Sequence, residues 1–162
     1  MADEDNRALV AGLAMLSRRE LTTRQLRERL ARKGFSPAAL DQAIDRLTRE
    51  RRLDDARTAR LVARTELLVK HRGPYRVRRQ LEALGVDEAT IDDTLASALE
   101  SADMQGLIDR ALDRRLRSPR ADLHDPASFR RIHAQLVRQG FSPSAVVTAL
   151  KARRARSSRG NG

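Results

Sequence analysis

The 162 residues carry 33 Lys and Arg against 22 Asp and Glu, a formal net charge of +11, with no cysteine and only 2% aromatic residues. The missing cysteines exclude disulfides and thiolate chemistry, and the scarcity of aromatics turns the Leu-, Ala- and Val-rich hydrophobic content toward helical packing. No apolar run approaches the roughly 20 residues needed to span a bilayer, and no signal-peptide pattern opens the chain; a soluble, cytoplasmic protein is expected. Its positive field attracts nucleic acid or an acidic protein surface. Lysine occurs only at Lys33, Lys70 and Lys151, so the charge is almost all arginine, whose fork suits carboxylates and phosphates.

Residues 1–6 are polar and are expected to be disordered. Leu9, Leu13 and Leu16, flanked by Val10 and Ala14, predict an amphipathic helix ending near Arg19. Leu21-Thr22-x2-Gln25-Leu26 then supplies a capping box and a hydrophobic staple. Leu26 and Leu30 lie one above the other on the second helix, which Gly34 ends as a C′ residue with positive φ. Ser36 reads as the next N-cap with Pro37 at N1, and Phe35 with Leu40 as its staple. The third helix uses Leu40, Ile44 and Leu47 and fades into Arg49–Arg52.

Leu53-Asp54-Asp55 opens a second unit. The two aspartates read as helix capping rather than a metal site, because no third ligand lies near them. The helix that follows is expected to run to about His71 with Leu61, Thr65 and Leu68 inward and Val62 and Val69 beside them. Arg57, Arg60 and Arg64 form a basic stripe on another face. Arg72-Gly73-Pro74-Tyr75 breaks the helix, and the next one packs Val77, Leu81 and Leu84 while exposing Arg76, Arg78 and Arg79. In a third unit Leu107, Ile108, Ala111 and Leu112 keep the helical period, with Arg110, Arg114 and Arg117 along another side. Ser118–Pro126 is a loop. Ile132, Leu136, Val146 and Leu150 define the last helix pair, and the basic stretch from Arg153 to Gly162 reads as disordered.

One pattern recurs. Leu26-x3-Leu30-x3-Gly34-Phe35-Ser36-Pro37 returns as Val77-x3-Leu81-x3-Gly85-Val86-Asp87 and as Ile132-x3-Leu136-x3-Gly140-Phe141-Ser142-Pro143, with the glycines 51 and 55 residues apart. A helical hairpin fills only about half of that length at 1.5 Å per residue, so each period holds a third helix. The expectation is an all-α fold of three tandem three-helix repeats forming an elongated, curved array. Its boundaries are a disordered terminus 1–6, repeats 7–52, 53–101 and 102–156, and a disordered basic tail 157–162. Gly34, Gly85 and Gly140 are its structural turns.

Catalysis finds little support. His71, His124 and His133 fall in separate elements without a second ligand at metal spacing, and no phosphate-binding loop or dinucleotide fingerprint is present. Neither an enzyme nor a cofactor is expected. Helix-turn-helix readers of DNA carry basic and amide groups at the start of the reading helix, whereas Ala38-Ala39, Glu88-Ala89-Thr90 and Ser144-Ala145 are neutral or acidic there. Nonspecific phosphate contact stays open, as does an adaptor role with another partner.

The helix-glycine-helix units, the run Leu53-Asp54-Asp55-x3-Ala59-x2-Val62-x-Arg64, and Arg72-Gly73-x2-Arg76-Val77-x3-Leu81-x3-Gly85-Val86 together resemble RecX, the regulatory family of the RecA recombinase, over about residues 8–152. Two positions depart from the family's habit: Thr58, where an aromatic residue is common, and Arg52, where a glycine is frequent. The resemblance implies a monomer that lies in the groove of the RecA–DNA filament and suppresses strand exchange and ATP hydrolysis in DNA repair and recombination. The arginine stripes of the middle repeat, Arg57, Arg60 and Arg64 and then Arg72, Arg76 and Arg79, are the expected contact surface. A basic helical protein acting directly on DNA or RNA is the alternative reading.

Overall fold

Short-range signals set the helix boundaries. In the computed structural model, which describes residues 2–159, the described chain is helical throughout its regular elements: α1 (Ala2–Leu16), α2 (Thr23–Arg32), α3 (Pro37–Arg49), α4 (Asp55–Arg64), a π-helical turn (Thr65–Val69), α5 (Pro74–Ala83), α6 (Glu88–Ser101), α7 (Met104–Leu116), α8 (Pro126–Arg138) and α9 (Pro143–Arg159). The Thr22 hydroxyl accepts the Gln25 N–H at 3.2 Å while the Gln25 side chain accepts the Thr22 N–H at 3.1 Å, a complete capping box. Ser36 caps α3 ahead of Pro37, and Asp54 caps α4 by accepting the Arg57 N–H at 2.8 Å. Asp87, Asp103, Asp125 and Ser142 do the same for the later helices. Each such cap is worth about 1 kcal/mol. Between capped pairs, Gly34, Gly85 and Gly140 take φ of +86°, +79° and +103°, a region that costs glycine little.

The helices gather into two compact units, each discontinuous in sequence: the chain up to Leu61 with Leu81–Thr94, and Val62–Gln80 with the chain from Leu95 onward. In the first, α1 packs chiefly on α3, and Leu21, Leu26, Leu30, Leu47 and Leu53 are all but fully buried. Leu81 and Ile91 are buried in the same unit. In the second, α7, α8 and α9 pack on one another around Leu107, Leu112, Leu136, Phe141 and Leu150. A fully buried side chain of this kind contributes about 1.5–3 kcal/mol.

Three expectations are corrected. Residues 2–6 are not disordered: α1 starts at Ala2, its first turn holds Asp3, Glu4 and Asp5 where the helix dipole favours them, and the Glu4 carboxylate accepts the Ser36 N–H at 2.8 Å and the Ser36 hydroxyl at 3.0 Å. Met1 lies outside the described residues. At the other end α9 stays helical to Arg159, tied by Arg153 to Asp113 at 2.6 Å and by Arg154 stacked 5.6 Å over the Phe129 ring; residues 160–162 of the expected tail lie outside the described residues.

The third correction concerns the face of α4. Leu61, Leu68 and Val69 are exposed, and the buried positions are Thr58, Ala59, Ala63, Glu66 and Leu67. Thr58, Ala59 and Ala63 thus fill the buried side of α4, and the bulkier Leu61 is turned outward. The π turn then adds a residue per turn and rotates the face beyond Arg64.

Candidate functional site

The six arginines singled out by the sequence differ in their surroundings. In the first unit, Arg57 is half-buried and committed to the fold. Its Nε and Nη2 reach the Glu20 carboxylate at 3.0 and 3.2 Å, and Nη1 and Nη2 donate to the Arg51 and Arg52 carbonyls at 3.1 Å. The hydrogen bond to Glu20 pushes its pKa up. Arg60 is exposed on α4. In the second unit, Arg64 and Arg79 are exposed, while Arg72 and Arg76 enter a common cavity.

That cavity, of ≈ 360 Å³, is lined by Lys70, Arg72, Arg76, Arg114, Arg115, Gln135, Arg138 and Gln139. Three stretches far apart in sequence build it. The loop 70–76 is laid against the turn after α8 by main-chain hydrogen bonds, Gly73 N–H to Gln139 O at 2.8 Å and Tyr75 N–H to Gly140 O at 3.1 Å. The backbones approach so closely that a Cβ on Gly73 would stand 2.1 Å from the Gly140 carbonyl carbon and oxygen. Glycine at 73 is therefore a condition of the site. The Gln139 amide nitrogen also donates to the His71 carbonyl, and His71 itself takes φ of +51°.

Charge within the cavity is unevenly answered. Glu66, 2% exposed, accepts from Lys70 Nζ and Arg72 Nη1, each at 2.6 Å. Burial pushes its carboxyl up, but the two cations outweigh that and hold it below the usual carboxylate range. Arg115 Nη2 donates to Gln139 Oε1 at 2.7 Å, yet its Nε is buried without a hydrogen-bond partner. Burial first, then the neighbouring Arg114 and Arg138, pull the Arg115 pKa down. Burial followed by Arg114 and Arg110 does the same to His71, whose Nδ1 is also buried without a partner.

Sequence reading had placed Arg72 and Arg76 at the surface and Arg114 on a charged face of α7. It missed Lys70, Arg115, Arg138, Gln135 and Gln139 as members of one cluster, because only the docking of loop 70–76 on the α8–α9 turn brings them together. Among the described residues no group of three or more His, Cys, Asp or Glu is placed to hold a metal ion, and no described helix is long and apolar enough to cross a membrane.

Two family domains account for the first half of this chain: residues 8–47 match the model described as RecX, first three-helix domain, and residues 54–95 the RecX second three-helix domain. The chain belongs to the RecX family. It is 33% identical over 145 residues to the regulatory protein RecX of Halorhodospira halophila, covering 88% of this chain and 85% of that one. To the regulatory protein RecX of Geobacillus kaustophilus it is 32% identical over 151 residues, 93% of this chain but only 55% of the relative's length. The crystal structure of RecX from Lactobacillus salivarius shares the fold, with a TM-score of 0.75 at 19% identity over 94% of this chain and 97% of that one.

Proposed function

We propose that this chain is a RecX-type regulator that binds the RecA–DNA filament and restrains its strand exchange and ATP hydrolysis, acting as a cytoplasmic monomer. Family membership across both matched domains carries the reading. The exposed arginines support it: Arg60, Arg64, Arg76 and Arg79 are free of the structural duty that holds Arg57 to Glu20, and Arg72 stands at the cavity wall. Contact through these groups is electrostatic and weakens with salt, since exposed charges are screened over about 10 Å at 0.1 M.

The test is co-sedimentation with preformed RecA filaments, with bare single-stranded DNA as the control. The protein should pellet with filaments, and slow their ATP hydrolysis, at concentrations that leave bare DNA unbound. Reversing Arg60 and Arg64 to glutamate should weaken both effects without loss of helical content. The net charge of +11 favours a second reading, direct binding of DNA or RNA. Failure to inhibit preformed filaments, together with tight binding to bare DNA, would establish that reading in place of the first.

A further inference from the structure

The cavity of the second unit gathers more positive charge than its fold uses. Six cationic side chains line it, and the carboxylate that answers them, Glu66, engages only Lys70 and Arg72. Among the described residues no carboxylate lies within 4.0 Å of Arg76, Arg114, Arg115 or Arg138. The last turns of α7 and α8 favour positive charge, but a helix end offers only about half an elementary charge. It cannot balance three guanidinium groups, one of them sequestered with its Nε unpaired. Like charges crowded side by side repel one another unless a counter-charge joins them.

Part of the wall is also held in place before any ligand arrives. Glu66 fixes Arg72, Gln139 fixes Arg115, and two main-chain hydrogen bonds fix the loop that carries Lys70, Arg72 and Arg76. Preorganised forks of this kind suit phosphate oxygens, and the volume, ≈ 360 Å³, falls in the range of small-molecule pockets.

We infer that this cavity is a binding site for a small, multiply charged phosphate anion of the oligophosphate class, free or as the phosphate chain of a nucleotide. A single phosphodiester brings one negative charge, which one or two guanidinium groups satisfy. A chain of phosphates brings several, close enough together to meet Arg76, Arg114, Arg115 and Arg138 at once. The cavity shares Arg72 and Arg76 with the proposed filament contact, whereas Arg114, Arg115 and Arg138 belong to it alone.

Isothermal titration of the full chain with sodium tripolyphosphate at 0.1 M salt tests it. Saturable binding at one site per chain is expected, with a matching rise in the melting temperature. Arg114→Gln and Arg138→Gln remove exposed side chains, so both variants should keep their helical content and weaken binding tenfold or more each. Arg76→Gln serves as a further variant should either fail to fold, and Arg32→Gln, exposed at the end of α2 in the other unit, should change nothing. ATP competing one for one identifies a nucleotide as an acceptable source, and tripolyphosphate binding alone identifies free oligophosphate. Several weak sites, or a titration unaltered in the Arg114→Gln/Arg138→Gln double variant, would overturn the inference. So would a single-stranded oligonucleotide that binds through these arginines where tripolyphosphate does not. Loss of tripolyphosphate binding with filament inhibition intact separates this site from the proposed regulatory contact.

Discussion

Replacing Glu66 by glutamine probes how the cavity wall is held. The side chain is 2% exposed and receives Lys70 Nζ and Arg72 Nη1 at 2.6 Å each. Glutamine preserves its volume and removes its charge. Hydrogen bonds to charged groups contribute about 1.5–3 kcal/mol each, but Lys70 and Arg72 are 48% and 30% exposed and regain hydration once released. A loss of about 2–3 kcal/mol at pH 7 is therefore expected, read from urea unfolding curves. The pH dependence makes the assay decisive. Because the folded carboxyl titrates below its ordinary value of 4.5, its contribution is complete above that pH and is lost as pH falls through the folded pKa. The gap between wild type and Glu66→Gln should thus be widest near neutrality and close in acid. A gap that stays constant from pH 7 down to about pH 3 would show that packing, and not the ion pair, is what the substitution removes.

Three further outcomes are expected. Arg57→Ala should cost about 1–2 kcal/mol through the lost contacts to Glu20 and the Arg51 and Arg52 carbonyls, while Arg60→Ala stays within about 0.5 kcal/mol, both by chemical denaturation. Gly73→Ala should destabilise by at least about 3 kcal/mol, because its Cβ would collide with the Gly140 backbone and expel loop 70–76; a melting temperature near wild type would contradict the close approach. Arg51→Gly should instead stabilise by about 0.5–1 kcal/mol, since Arg51 holds φ of +54° and contributes its carbonyl, not its side chain, to Arg57.

What the sequence discloses is whatever a few neighbouring residues decide among themselves. Thr22 with Gln25, Ser36 with Pro37 and Ser142 with Pro143 mark helix starts because a cap and its target lie within one turn. The periodic leucines of α2, α3 and α7 likewise reveal their buried faces, since one face of each regular helix does all the packing. The π turn at Thr65–Val69 escapes that logic: Glu66 is turned inward to Lys70 and Arg72, so the consecutive apolar residues Leu67, Leu68 and Val69 mislead. Glu4 looks like a solvated terminal charge until Ser36, 32 residues away, is brought to it. The cavity is illegible for the same reason on a larger scale, because Arg72 and Arg138 share a wall only through a backbone junction no local pattern announces.

That junction between Gly73 and the Gln139–Gly140 turn has a consequence for the chain as it is being made. Loop 70–76 leaves the ribosome long before the residues it must clasp, with the stretch through Phe141 still to be translated. At about 5–20 residues per second, that wait lasts roughly 3–13 s. During it Leu67 and Val77, buried in the finished protein, have no C-terminal helices to cover them. The core of α1, α2 and α3, by contrast, can close on itself early. Released chains truncated at residue 101 should therefore display a protected core of α1, α2 and α3 followed by a protease-sensitive segment around residues 65–77, whose protection arrives only with the last helices.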